Sequence, residues 1–167
     1  MLNKLSRTYV YLLAVLLAVL IPGLLVLHIA YLAGTHLQPN GLLFALFFGI
    51  NLPVVGLAKN RNIWANEVRQ CPPWLRWTVR GLFAYAMIVM LLCVIGNMHV
   101  PANFFLAISA FMLLFTCGSA CILYATVQAS RTDKQNLRER TKRSLLTVAL
   151  FATLFLVSRF LPAPIHQ

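Results

Sequence analysis

Five apolar runs constrain this chain more than any other feature: Tyr9–Ala33, Gly41–Ala58, Gly81–Met98, Phe104–Gln128 and Leu145–Leu161. The first four hold no charged residue and the last holds only Arg159. At about 1.5 Å of rise per residue, helices of such lengths approach or exceed the roughly 30 Å hydrocarbon core of a bilayer. Hydrophobic residues make up 60% of the chain and charged residues 10%, where a soluble domain is about half apolar and a quarter charged. One soluble core cannot absorb that excess. The pattern predicts an all-α polytopic membrane helical bundle, a single membrane domain over 1–167 with five transmembrane helices at roughly 9–33, 41–58, 81–98, 104–128 and 145–161.

The cations lie between the runs and set the expected orientation. Lys4 and Arg7 precede the first run; Lys59, Arg61, Arg69, Arg76 and Arg80 occupy 59–80; and ASRTDKQNLRERTKRS at 129–144 sets many Lys and Arg against Asp133 and Glu139. The turns GTHLQPN at 34–40 and HVPAN at 99–103 are uncharged. Short loops rich in Lys and Arg stay cytoplasmic, which predicts N-terminus in, C-terminus out, and basic cytoplasmic loops at 59–80 and 129–144. The net charge of +11 would point to nucleic acid in a soluble protein. Between apolar runs it is expected to meet anionic lipid headgroups instead. A signal peptide competes for the first run, since Ala30 and Ala33 resemble a cleavage site. Signal peptides carry only about 7–15 apolar residues, so the longer run is read as a span. Arg159 is expected to snorkel to the outer headgroups.

The 59–80 stretch, KNRNIWANEVRQCPPWLRWTVR, holds all three tryptophans and the only consecutive prolines. Trp and Arg suit the boundary of hydrocarbon and water, so Trp64, Trp74, Trp77, Arg76 and Arg80 form a candidate interfacial or partner-docking surface. Ile63, Trp64 and Val68 would share one side of a short in-plane helix stopped by Pro72 and Pro73. Cys71 is expected to be the most accessible thiol, with cations nearby.

On the segments CPPWLRWTVRGLFAYA and FMLLFTCGSACILYA, the chain resembles a family of small uncharacterised bacterial inner-membrane proteins. In that family a Cys-Pro-x-Trp segment precedes a Gly-x-Phe-x-Tyr-Ala span. The resemblance covers about a third of the chain. It implies a multi-pass protein of the bacterial inner membrane and carries over no catalytic residue.

Four constellations are candidates for chemistry. Pro22 and the Asn51–Pro53 pair sit near the middle of the first two runs, where each proline frees the carbonyl four residues earlier, at Ala18 and Gly49. Pro22, Asn51 and Pro53 could thereby form a midplane polar site; the alternative is two kinks, with Asn51 bonding a neighbouring helix. His28, His36, His99 and His166 fall toward the predicted outer side without metal-ligand spacing, and are read as scattered interfacial histidines. Cys117 and Cys121 share a helix face, but Cys93, the third thiol weighed, differs from Cys117 in depth by about 13 Å. The run around them is read as a small-residue packing strip. Arg131–Arg143 could form a cationic helix or extend the fourth span, with Glu139 and Arg143 spaced for an ion pair. Proline and asparagine recur at the entrances to the second and fourth runs (Pro39-Asn40, Pro101 and Asn103), as a parallel repeat or as similar turn chemistry would produce.

Nothing in these constellations brings an acid, a base and a nucleophile to one depth, and no cofactor or metal is implied. The expectation is a non-enzymatic accessory or interaction protein of the inner membrane, with a membrane-protein partner or a second copy and no nucleic acid. The alternative is a transporter or channel component using the midplane site at Pro22 and Asn51–Pro53.

Overall fold

A computed structural model describes residues 2–34, 41–58, 69, 71–96, 101–132 and 134–160. Its elements are α1 Leu2–Leu32, α2 Gly41–Gly56, α3 Pro73–Ile95, α4 Pro101–Thr132 and α5 Lys134–Phe160, with no strand among the described residues. Ser6–Leu32, Pro73–Ile95 and Asn103–Gln128 are long and apolar enough to cross a membrane. At 16 residues, α2 extends about 24 Å, short of a full hydrocarbon core.

Helix boundaries depart from the apolar runs wherever a polar segment is a good helix former. The paired prolines begin α3: Pro73 occupies its first turn, where a missing N–H costs nothing. The carbonyl of Pro72 accepts from the N–H groups of Leu75 and Arg76, each at 3.1 Å. Residues 73–80, expected as loop, are therefore helix. The 129–144 segment is also helical, α4 running to Thr132 and α5 starting at Lys134, because Lys, Arg, Gln and Glu carry high helix propensity. Glu139 pairs there with Lys142 at 3.3 Å on an exposed face, one residue short of the expected Arg143. α1 runs unbroken through Pro22.

α4 is the axis of the bundle, contacting each of the other four helices. On one side its Ala107, Ala110, Leu114, Cys117 and Cys121 meet Leu75, Val79, Ala86, Val89 and Cys93 of α3. Both sets recur at alternating intervals of three and four, the seam of helices crossing at a shallow left-handed angle. Small residues on the α4 side allow a close approach. On its other side α4 meets α1, whose buried Val10, Leu13, Leu17, Leu20 and Leu24 keep the same interval. α2 and α5 close the bundle against each other and against α4.

Candidate functional site

The side chains with chemistry in this fold lie on the helix seams, in three polar layers stacked along α4. His28 continues the α1 seam four residues beyond Leu24 and is 3% exposed. Its Nδ1 lies 2.8 Å from Ser109 Oγ on α4, and its Nε2 2.6 Å from the Tyr85 hydroxyl on α3. Ser109 Oγ donates its own hydrogen to Leu106 O at 2.9 Å, so it accepts from Nδ1–H, and Nε2 accepts from Tyr85. That chain ties α1, α3 and α4 through a neutral imidazole with both nitrogens engaged. His28 is therefore a core residue, not the interfacial histidine expected from its place in the sequence. His36, His99 and His166 lie outside the described residues.

The middle layer holds Asn51, which is wholly buried. Its Nδ2 donates to Phe47 O at 2.9 Å and to Thr116 Oγ1 on α4 at 3.4 Å, while Thr116 Oγ1 donates to Met112 O at 2.7 Å. Asn51 Oδ1 and Ser119 Oγ are buried without a hydrogen-bond partner among the described residues. Pro53 is buried beside Val54 on α2, whereas Pro22 is on the exposed face of α1.

The inner layer forms where α2 ends. Leu57 and Ala58 donate to Val54 O and Val55 O, each at 3.0 Å, tightening the last turn to three-residue spacing. That turn leaves the Pro53 carbonyl without its usual donor, and Ser144 Oγ of α5 takes it. Ser144 in turn accepts from the Tyr9 hydroxyl of α1 at 2.8 Å. One turn earlier on α5, the buried Arg140 sends Nη1 to Leu57 O at 3.4 Å and to Thr126 Oγ1 of α4 at 3.2 Å. A cation at the carbonyl end of α2 complements that helix's dipole. Gly56 makes the closeness possible, since a Cβ there would lie 2.7 Å from Ser144 Cα. Arg140 and Ser144 escaped the sequence reading because both fall in the basic 129–144 segment, expected as a cytoplasmic loop or cationic helix meeting anionic lipid, where nothing in the sequence marks a residue as buried.

The proposed partner surface is split. Trp74 and Trp77, one turn apart at the start of α3, are both about two-thirds exposed, at 67% and 68%. The Arg80 guanidinium stacks 5.4 Å over the Trp77 ring, and Arg76 is half-buried on the same helix. Trp64 and the in-plane helix expected over 63–68 lie outside the described residues, as does the Arg159 side chain.

The four cysteines are buried and form no disulfide. Cys71, expected to be accessible, is 3% exposed and donates from Sγ to Cys121 O at 3.5 Å. Among the described residues no three of His, Cys, Asp and Glu converge on a metal-sized site. Among the described residues, one apolar groove runs between α1 and α2, and another is lined by Phe44, Phe48, Met90, Phe104 and Phe111.

Fold and polar layers together define, among the described residues, an all-helical bundle with three helices long and apolar enough to cross a membrane. No family model, curated protein or solved structure matches the chain, so the resemblance of the 71–86 and 111–125 segments rests on those motifs alone.

Proposed function

We propose that this chain is a non-enzymatic accessory or interaction protein of the bacterial inner membrane. In this reading its five apolar segments cross or enter the bilayer, with the N-terminus inside and the C-terminus outside. One observation carries the reading: buried polar side chains of the outer and inner layers bond from helix to helix, as His28 does with Ser109 and Tyr85, and Arg140 with Thr126. Polar groups used this way fix a scaffold. The surface left for a partner is the first two turns of α3, where Trp74 and Trp77 stand exposed beside Arg76 and Arg80. Pull-down of the full chain from mild detergent should recover a stoichiometric membrane partner, or a second copy, that is lost when Trp74 or Trp77 is replaced by alanine. Recovery unaffected by either change removes this surface from consideration. Reporters active only outside the cytoplasm, fused after Arg80 or Lys142, should stay silent; a signal from either reverses the orientation.

A transporter or channel component is the second reading, favoured by the unpartnered Asn51 Oδ1 and Ser119 Oγ in the middle layer. It requires that replacing Asn51 with leucine abolish flux in reconstituted vesicles while the protein stays folded.

A further inference from the structure

We propose that Cys71 and Cys121 form a two-thiolate site for a soft monovalent cation of the copper(I) or silver(I) class. The two residues are fifty positions apart and reach each other only because α3 and α4 pack along a seam. Cys71 Sγ lies 3.5 Å from Cys121 O, and both residues belong to the one buried cluster on the seam of α3 and α4. Both are buried, Cys121 completely. Pro72 and Pro73 follow Cys71 directly and anchor it to the first turn of α3, so the pair is held by rigid backbone on both sides.

The donor set selects the ion. Zinc asks for about four ligands, and no third His, Cys, Asp or Glu converges here among the described residues. Monovalent ions of filled d shell accept two thiolates in a line, and soft thiolates prefer them. Cys117, one turn before Cys121 on the same seam, remains a neighbour and not a ligand. On binding, each Sγ–H gives its proton to solvent, two sulfur–metal bonds form, and the ion leaves its carrier ligand; no oxidation state changes. The site then carries one negative charge. Arg69, exposed two residues before Cys71, and Arg76, half-buried in α3, supply cations along the chain near it, and the first turn of α3 directs its dipole's positive end toward the same place.

The full-length protein in detergent, reduced under nitrogen, should take up one silver(I) ion per chain against a competing chelator, releasing two protons. With copper(I), X-ray absorption should show two sulfur neighbours and no nitrogen. C71S and C121S should each lose stoichiometric binding, while Cys93→Ser and Cys117→Ser retain it. The wild-type spectrum and a rise in its melting temperature on adding one equivalent need no variant, which keeps the test decisive if a serine at a buried site unfolds the chain. Absence of binding by the wild type, three sulfur neighbours, or uptake that persists in the Cys71/Cys121 double variant would overturn the site.

Discussion

Replacing Gly56 with alanine tests the junction on which the inner layer depends. The added Cβ would sit 2.7 Å from Ser144 Cα and 2.8 Å from Thr147 Oγ1, where ordinary contact begins at 3.4 Å. The nearest atom is backbone, so a side-chain rotation cannot relieve the clash, and α2 and α5 must separate by several tenths of an ångström. Overpacking of this kind costs about 1–3 kcal/mol. Separation also stretches the Arg140 bond to Leu57 O, already 3.4 Å, and the Ser144 bond to Pro53 O, each worth about 0.5–1.5 kcal/mol. The expected loss is about 2–4 kcal/mol. Gly49, seven residues earlier on the same helix, is the control: nothing lies within 4 Å of a Cβ built there. Alanine at Gly49 should be neutral or stabilising by up to about 1 kcal/mol through helix propensity. Reversible unfolding in mixed micelles, followed by helical circular dichroism, measures both. Equal stability of the two variants would show that α2 and α5 do not meet as described.

Tyr85→Phe leaves His28 Nε2 buried without its donor and should cost about 1–3 kcal/mol in the same assay; an unchanged midpoint would mean the outer layer does not hold three helices together. Arg140→Gln should destabilise by a similar roughly 1–3 kcal/mol, although its neighbours in sequence, exposed Arg138 and Lys142, should change stability by less than about 0.5 kcal/mol when made glutamine. Native-state labelling with a small maleimide should modify Cys71 far more slowly than in denaturant, because 3% exposure outweighs its place in a polar segment; rapid native labelling would contradict the packing of the α3 start. Trp74→Ala and Trp77→Ala, both at exposed positions, should each shift the unfolding midpoint by less than about 0.5 kcal/mol, so that any loss of partner binding reads on the surface and not on the fold.

The helical class of the chain could be read from its apolar runs, and helix ends could not. An apolar run reports where lipid or core begins, whereas a helix continues as far as its residues favour one; Lys134 to Arg143 illustrates the difference. The seams were hidden for another reason. In α1 the buried Val10, Leu13, Leu17, Leu20 and Leu24 alternate with Tyr11, Val15, Val19 and Val26, which are equally apolar and exposed. A helix facing core on one side and hydrocarbon on the other gives no contrast for periodicity to detect. The polar residues were the available marks. Ser6, His28 and Tyr31 extend that spacing of three and four at either end of α1, and on α4 the buried Thr116 and Thr126 meet Asn51 of α2 and Arg140 of α5. Read as seam markers instead of isolated candidates, they would have placed His28 in the core and paired Asn51 with α4. The Cys71–Cys121 pair was out of reach, since nothing in spacing reveals that a thiol before α3 meets one fifty residues later.

Apolar seams alone do not fix this bundle. Sliding one all-apolar helix past another by a turn exchanges leucine for leucine at little cost, and lipid offers no hydrophobic penalty for the slip. A buried polar group changes that, because losing its partner costs about 1–3 kcal/mol. The three layers are distributed accordingly: His28 sets α1 and α3 against α4, Asn51 sets α2 against α4, and Arg140 and Ser144 set α5 against α2, α4 and α1. Each helix pair that a slip could shift carries at least one such bond or is tied through α4, so a slip of one turn anywhere leaves a donor or acceptor stranded. This is the role of a single polar residue in a coiled-coil seam, repeated at three depths. It explains why buried polar side chains of so apolar a chain are spent between helices.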